Sequence, residues 1–283
     1  MTNNQVGIYH RTVDYALDIL EQFNGNVGEF NLTELSNNLN INKNTVFRIL
    51  TTLEFGRYIS KNTHNAGYRL GPKAVAHGQT FKNQMALLRK AKPIIEELVN
   101  TCNESSFVAI QKNFQIIFLD TVETNHAVRV VPRLGVQLPL HCTAAGKLLL
   151  AYMSEWEQEK YLSSHELKRY TPNTITDKDI LRNHLSRVAE LGYAASNEEL
   201  DSGVRCVSAP VRDYKRRFIG AVSISGPSMR FSVKRIALEL IPLVRKAAED
   251  ISLSHGFPRE PVASCLPDIT FDSVINFGIS DSY

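Results

Sequence analysis

The amino-acid sequence lacks the patterns typical of metal, disulfide and membrane proteins. Its 283 residues include four cysteines, and no two of them form a CxxC pair or a Cys/His spacing that suggests zinc ligation. No apolar run approaches membrane-spanning length, and the N-terminus lacks the basic-then-apolar pattern of a signal peptide. The eight histidines are scattered. We therefore expect a cytoplasmic protein without membrane contact, metal site or cofactor.

A local motif for catalysis is also lacking. One alternative is an enzyme that uses Cys206 as a nucleophile with His141 or His126 as its base. Such a nucleophile needs a base within hydrogen-bond reach and a third group that orients the base, and no third residue is evident. We therefore predict no enzymatic activity and no catalytic residue.

Basic residues are concentrated in the first third of the chain. Residues 1–90 contain ten Lys/Arg and six Asp/Glu, a net charge of +4, whereas the remainder contains 22 and 23, a net charge of −1. Within residues 41–73 there are six basic residues and one acid, Glu54. This distribution favours contact with nucleic-acid phosphates.

The stretch from residue 32 to residue 71 has the pattern of a winged helix-turn-helix. Asn31 and Glu34 are spaced as in a capping box, residues 40–42 suit a tight turn, and Gly56 ends the second helix. Apolar residues recur at helical spacing in both predicted helices, at Leu32, Leu35 and Leu39 and then at Val46, Ile49, Leu50 and Leu53.

A hairpin follows, because two alternating segments, 58–61 and 68–70, flank a polar tip. This hairpin is the predicted wing.

The polar face of the second helix predicts the DNA contacts. Asn44, Arg48 and Thr51 lie opposite its apolar stripe, and short polar groups, a guanidinium and methyls are what a recognition helix uses to read base edges. The alternative is a small helical module whose polar face is only solvated. The residues predicted to contact DNA are Asn42, Lys43, Asn44, Thr45, Phe47, Arg48 and Thr51 in the helix and Lys61, His64 and Arg69 in the wing.

Changes of pattern divide the chain into four segments. Residues 8–71 form the predicted winged helix-turn-helix domain, 72–84 a linker helix, 85–255 a second domain and 256–283 a tail to which we assign no role. The linker helix carries apolar residues on one side and is a candidate for dimerisation. Pro93 should kink or restart the helix that opens the second domain.

The second domain mixes short strands with amphipathic helices. Strands are predicted at 107–110, 116–119, 128–131, 193–196, 204–211 and 218–225, and helices at 85–102, 143–153, 154–162, 177–191 and 233–253. Pro132, Gly135 and Pro139 mark a long loop. Helices that pack on an antiparallel sheet make this an α+β domain.

Three stretches of the second domain suggest a ligand pocket. In residues 138–147 a loop ends in small residues that open a helix, whose free N–H groups suit an anion. Ser223 and Ser225 share one face of a strand, and strand alternation separates Arg205 from Cys206. Together, the N–H groups at the helix start and the strand hydroxyls would hold a small carboxylate. The alternative is that the serines are only solvated and that Cys206 is an inert core residue.

Residues 138–150 and 203–230, the latter including GVRCVSAPVRD and GAVSISGPSMR, resemble the two signature stretches of the IclR family of bacterial transcriptional regulators. The resemblance covers roughly residues 10–255 and includes the helix-turn-helix and wing. It implies a winged helix joined by a helix to a GAF-like effector domain, in dimers or tetramers that bind palindromic operators.

The resemblance also implies an effector pocket. The matching residues and their neighbours give Ala144, Ala145, Gly146, Asn197, Cys206, Ser223 and Ser225 as candidate effector-binding residues. An acidic residue that some members place in the pocket aligns near Ser196 and Asn197, where this chain has no acid. The nearest acids are Glu198 and Glu199.

We therefore expect a DNA-binding transcriptional regulator controlled by a small-molecule effector, either an organic acid or an aromatic carboxylate. The alternative is a DNA-binding protein whose second domain only oligomerises. That alternative predicts no effect of small molecules on operator binding.

Overall fold

A computed structural model describes residues 10–24, 28–131 and 133–258 of the chain. The chain divides into two compact units, Met1–Gln84 and Met85–Tyr283. Most of the tail assigned to residues 256–283 lies outside the described residues. No helix of the described part is long and apolar enough to cross a membrane.

The first unit is a winged helix-turn-helix, as predicted. Its elements are α1 (Arg11–Glu21), a 3₁₀ turn (Gln22–Asn24), α2 (Leu32–Leu39), α3 (Lys43–Phe55), β1 (Ile59–Lys61), β2 (Tyr68–Leu70) and α4 (Pro72–Gln84). One apolar cluster joins α1, α2, α3 and the hairpin, and its buried members are Ile19, Phe23, Leu35, Ile41, Val46, Ile49, Leu50, Ile59 and Tyr68. The predicted apolar stripe of α3 therefore faces this core, and its opposite face is left to solvent.

Asparagine side chains set the boundaries of α2 and α3. The predicted capping box is confirmed, because Asn31 accepts from the N–H of Glu34 at 3.0 Å and Glu34 accepts from the N–H of Asn31 at 2.7 Å. Asn40 closes α2 in the left-handed conformation, with φ of 53°. Gly56 ends α3, as predicted, with φ of −70°, and the next residue, Arg57, turns the chain with φ of 61°.

The wing is held to the body of the unit by Glu29 and Phe30. Strands β1 and β2 are antiparallel, and Phe30 forms a bridge with Tyr68 that extends the hairpin. The Glu29 carboxylate accepts from the Asn62 amide at 3.2 and 3.3 Å. A Cβ at Gly67 would come within 2.1 Å of this carboxylate, so a larger residue there would displace the Glu29 side chain.

The second unit is an α+β fold, which confirms the predicted class. Its elements are α5 (Ala86–Cys102), β3 (Ser105–Lys112), β4 (Gln115–Val122), β5 (Gln137–Pro139), α6 (Ala144–Ala151), α7 (Glu155–Ser164), α8 (Lys178–Leu191), β6 (Ala194–Asn197), β7 (Val204–Arg212), β8 (Phe218–Pro227), a 3₁₀ turn (Ser228–Arg230), α9 (Val233–Arg235), a π turn (Ile236–Leu240) and α10 (Ile241–Ser254). The strands form one antiparallel sheet in the order β5-β4-β3-β8-β7-β6.

Two sets of helices cover the sheet. Helices α5 and α10 pack on each other and on the strands, and α6 packs on β6, β7, β8 and α8. The buried apolar side chains form one continuous core that includes Leu88, Ile95, Leu148, Leu185 and Ile224. A sheet covered in this way places the start of α6 beside the strands that carry the candidate pocket residues.

One predicted strand of the second unit is wrong. Residues 128–131 form no strand, because the edge of β4 pairs with β5 instead, with Gln115 opposite Pro139. The Val128 carbonyl accepts from Arg230 at 3.0 Å, which ties this loop to the end of β8. Helix α5, which was predicted to kink or restart at Pro93, does not restart there: the exposed proline lies inside one continuous helix, Ala86–Cys102.

Candidate functional sites

The outer face of α3 exposes most of the residues predicted to contact DNA. Lys43, Asn44, Arg48 and Thr51 are exposed, and Phe47 is 50% exposed. Thr45 is half-buried. The helix therefore presents its polar residues and one aromatic ring on one accessible side.

Two of these side chains also make contacts that shape the helix itself. Asn42 accepts from the N–H of Asn44 at 2.8 Å, as an N-cap, and the Thr51 hydroxyl donates to the Phe47 carbonyl at 2.9 Å. Both residues, Asn42 and Thr51, remain exposed to solvent. Arg48 is the residue of α3 with the longest reach toward a base edge or phosphate.

The three predicted wing residues are exposed as well. The Lys61 ammonium lies 5.7 Å from the centre of the Tyr68 ring, and Arg69 is the cross-strand neighbour of Ser60. The His64 N–H donates to Asn62 at 3.0 Å, so this turn sets the position of His64 at the tip. We name this hairpin surface, with the outer face of α3, the basic surface.

Two further cations belong to the basic residues counted within 41–73 but were not among the predicted DNA contacts. Arg57 and Lys73 are exposed, and the Lys73 ammonium lies 5.1 Å from the centre of the Tyr58 ring. In the described residues none of the following makes an ion pair: Lys43, Arg48, Arg57, Lys61, Arg69 and Lys73. Unpaired surface cations of this kind release counterions from DNA when they meet phosphates.

A cavity of about 80 Å³ that opens to solvent lies in the second unit. Residues from the sheet, from the start of α6 and from three loops line it. These residues are Phe107, Phe118, Val130, Val131, Arg133, Leu138, Cys142, Thr143, Ala144, Ala145, Ser196, Leu200, Asp201, Val204, Cys206, Ser223 and Ser225. We call it the effector cavity, after the hypothesis that predicted it.

The start of α6 forms one polar wall of the effector cavity. Thr143 caps the helix, because its hydroxyl accepts from the N–H of Gly146 at 3.1 Å. In the described part of the chain, no group accepts from the N–H of Ala144 or of Ala145. Their methyl side chains leave the helix end open, so an anion can reach these two donors.

The sheet forms a second polar wall. Cys206 is the cross-strand partner of Ser225, and Ser208 is the partner of Ser223, so all four side chains share one face. The Cys206 thiol contacts the Ser225 hydroxyl, and the Ser208 and Ser223 hydroxyls lie 2.6 Å apart. The structure thus places five predicted residues on the cavity wall: Ala144, Ala145, Cys206, Ser223 and Ser225.

Two predicted pocket residues do not line the cavity. A Cβ at Gly146 would come within 2.4 Å of the Leu140 carbonyl oxygen, so this glycine serves close packing of α6. The Asn197 side-chain oxygen accepts from Arg205 at 2.9 Å, away from the cavity. Its neighbour Ser196 lines the cavity instead, because adjacent strand residues face opposite sides.

The apolar wall and the rim of the cavity were not predicted from the sequence. Phe107 is the cross-strand partner of Ser223, and its ring meets Phe118 edge to face with centroids 5.5 Å apart. At the rim, Arg133 pairs with Asp201 at 2.9 Å. Each residue is unremarkable in sequence, and only the strand order brings them together.

Burial keeps the cavity thiols protonated. It raises the pKa of Cys206 to about 11 and that of Cys142 to about 12. Burial also lowers the pKa of His141, whose Nε2 lies 3.0 Å from the Lys168 carbonyl. A protonated thiol is a poor nucleophile, which weighs against the alternative of a cysteine-dependent enzyme.

Two family profiles match the sequence. Residues 12–63 match the IclR helix-turn-helix domain, and residues 79–253 match the bacterial transcriptional regulator IclR C-terminal domain. The chain is 31% identical over 248 residues to the HTH-type transcriptional regulator XynR of Escherichia coli, a match that covers 88% of this chain and 98% of XynR.

Solved structures have the same fold. The IclR structure from Thermotoga maritima is 28% identical with a TM-score of 0.74, over 88% of this chain and all of that chain. An IclR homolog from Microbacterium hydrocarbonoxydans, complexed with 4-hydroxybenzoate, is 23% identical with a TM-score of 0.74, over 86% of this chain and 98% of that chain.

Proposed function

Because the chain belongs to the IclR family of bacterial transcriptional regulators, we propose that a small organic acid bound in the effector cavity controls its affinity for operator DNA. One observation carries this proposal. The two free N–H groups at the start of α6 and the hydroxyls of Ser223 and Ser225 line the same cavity as two phenylalanine rings.

The chemistry of the walls favours an aromatic carboxylate. A carboxylate would accept from the N–H groups of Ala144 and Ala145 and from a serine hydroxyl. A ring would lie against Phe107 and Phe118. The one acid among the described lining residues, Asp201, is neutralised by Arg133, so no unpaired carboxylate repels an anionic ligand.

The second part of the proposal concerns the DNA. Arg48 and its neighbours on α3 would enter the major groove, and Lys61, His64 and Arg69 of the wing would contact the flanking backbone. We propose a homodimer or homotetramer on a palindromic operator, because two-fold symmetric proteins match two-fold symmetric sites. A protein that binds the chromosome in this way acts in the bacterial cytoplasm.

Control of DNA binding requires two arrangements of the oligomer with different effector affinities. Helix α4 joins the two units and buries none of its residues, with Val75 and Phe81 exposed. We propose that α4 contacts a second copy of the chain and couples effector binding in the second unit to the arrangement of the oligomer on DNA. The competing proposal is that the second unit only oligomerises. No feature of the cavity among the described residues favours it.

Fluorescence anisotropy of labelled DNA from upstream of the chain's own gene tests the proposal. The measurement is made with and without a panel of small carboxylic acids, beginning with benzoate and 4-hydroxybenzoate. We expect specific binding that one of the acids shifts. Specific binding that no acid changes would favour the oligomerisation-only alternative, and absence of specific binding would remove α3 as the recognition helix.

A further inference from the structure

A buried ion pair lies directly behind the effector cavity. The Lys147 ammonium and the Glu199 carboxylate are 2.5 Å apart, and their side chains are 0% and 3% exposed. Lys147 belongs to α6, and Glu199 lies in the loop that follows β6. No part of the proposed ligand contact uses either residue, since neither lines the cavity.

Hydrogen bonds fix the position of Glu199 in its loop. Its Oε1 also accepts from the N–H of Asn197 at 3.2 Å, and its carbonyl accepts from the Thr174 hydroxyl at 2.6 Å. In the described residues, its Oε2 is buried without any hydrogen-bond partner. Burial of two charges costs solvation free energy, and an oxygen without a partner adds to that cost, so this ion pair need not stabilise the fold. A role other than stability is therefore needed to explain the pair.

The position of the pair relative to the cavity suggests that role. Lys147 follows Ala144 by three residues, which puts it on the same side of α6 one turn deeper. Glu199 immediately precedes Leu200 and Asp201, which line the cavity. Both charges therefore lie just behind the cavity wall in a poorly solvated region, where screening by water is weak.

We propose that the Lys147–Glu199 pair sets the electrostatic potential of the effector cavity and thereby its preference for anionic over neutral ligands. The proposal rests on the effector function proposed above and makes both residues specificity determinants. Lys147 favours an anion at the start of α6, and Glu199 limits that preference. Removal of one charge should shift the preference in one direction, and removal of the other should shift it the opposite way.

Two thiols inside the cavity supply a measurement that needs no ligand. Beyond the effect of burial, Lys147 lowers and Glu199 raises the pKa of both Cys142 and Cys206. Asp201 is the other charged group that raises these two pKa values, and His141 is neutral because burial lowers its pKa. The thiolate, like a ligand carboxylate, is an anion in this cavity and responds to the same potential.

The first experiment measures alkylation of Cys206 by iodoacetamide at fixed pH, resolved from the other cysteines by peptide mass spectrometry. The proteins are the wild type, Glu199→Gln, Lys147→Met and the double variant. Because a pKa change of about 0.5 unit alters the thiolate fraction about threefold, we expect Glu199→Gln to react about threefold or more faster. Lys147→Met should react more slowly by a similar factor, and the double variant, with no net change of charge, should lie near the wild type.

A rate that rises in both single variants would indicate loosening of the fold and would overturn the proposal. Unchanged rates in both would overturn it too. If Lys147→Met does not fold, the comparison of Glu199→Gln with the double variant decides, because the same opposite-charge argument predicts a faster reaction in the single variant. Equal rates in those two proteins would then contradict the proposal.

The second experiment compares the dissociation constants of benzoate and benzamide by calorimetry. We expect the preference for benzoate to rise about threefold to tenfold in Glu199→Gln and to fall in Lys147→Met. Preferences that change in the same direction would contradict the proposal. If benzoate fails to bind the wild type while the alkylation rates shift in opposite directions, the acid effector fails and the electrostatic role of the pair stands.

Discussion

The basic surface and the effector cavity differ in how their residues come together. Arg48, Lys61 and Arg69 lie within 22 positions of one another, on one helix and one hairpin that short-range patterns define. The effector cavity takes residues from Phe107 to Ser225, and its walls come from six strands, one helix and three loops. The basic surface can be deduced from the periodicity of the sequence, whereas the effector cavity can be located only when the order of the strands in the sheet is known.

The two regions also differ in how their side chains are stabilised. Cations of the basic surface are exposed and unpaired among the described residues, so they contribute little to folding and remain available to a partner. Several side-chain polar groups at the cavity wall are buried and paired, as Ser223 is with Ser208. Substitutions on the basic surface should therefore change DNA affinity alone, and substitutions at the cavity should change stability and ligand binding together.

The largest expected effect is on the stability of the cavity region. Leu148 is fully buried in α6, and Leu148→Ala should lower the free energy of unfolding by about 2–5 kcal/mol, because the cavity it leaves cannot collapse completely. Urea unfolding followed by circular dichroism measures it. Leu238→Ala is the matched control, since Leu238 is 58% exposed, and equal losses in the two variants would contradict the packing described for α6.

The next effect separates base reading from phosphate contact. Arg48→Ala should cost about 1–3 kcal/mol at the operator and relax its sequence preference, if Arg48 reads a guanine. Anisotropy with operator and scrambled DNA measures it, and Arg187→Ala, an exposed arginine of α8, is the control. An equal loss on both DNAs would reduce Arg48 to a phosphate contact.

A smaller effect concerns the polar wall of the cavity. Ser223→Ala should weaken binding of a carboxylate effector by about 0.5–1.5 kcal/mol, the usual contribution of one hydrogen bond, and leave DNA affinity without effector unchanged. Calorimetry measures the first and anisotropy the second. Ser186→Ala, on the exposed face of α8, serves as control. Unaltered effector affinity in Ser223→Ala would place the ligand elsewhere.

The smallest effect is at the wing. Lys61→Ala should weaken DNA binding on every sequence and reduce the slope of log K against log salt by about 1, because one fewer counterion is released. Titration of salt with a fixed duplex measures the slope. An unchanged slope would remove the wing from the DNA contacts.

Local chemistry made much of the fold predictable from sequence. The capping box of Asn31 and Glu34, the N-cap at Asn42 and the hairpin of β3 and β4 each depend on a few neighbouring residues. Residues 128–131 do not form the expected strand. In the described residues they pair with no other strand, and the apolar residues Val130 and Val131 line the cavity instead. Periodicity alone cannot distinguish an apolar loop over a cavity from a short strand.

Only the cavity residues that belong to a local sequence pattern could be predicted. Ser223 and Ser225 follow from strand alternation, but a difference of one position separates Ser196, which lines the cavity, from Asn197, which does not. The Lys147–Glu199 pair joins residues 52 positions apart, and no local pattern marks it. Contacts of this range depend on tertiary packing, which the sequence does not display.

The central claim is that the occupant of the effector cavity and the DNA on the basic surface affect one another, and reciprocal binding measurements test it most directly. Calorimetry gives the effector affinity with and without saturating operator, and anisotropy gives the operator affinity with and without saturating effector. Linkage requires the two ratios to be equal, so we predict the same factor, about 5–150-fold, from both. If effector and operator both bind but neither changes the affinity of the other, so that both affinity ratios equal one, the proposed coupling is contradicted.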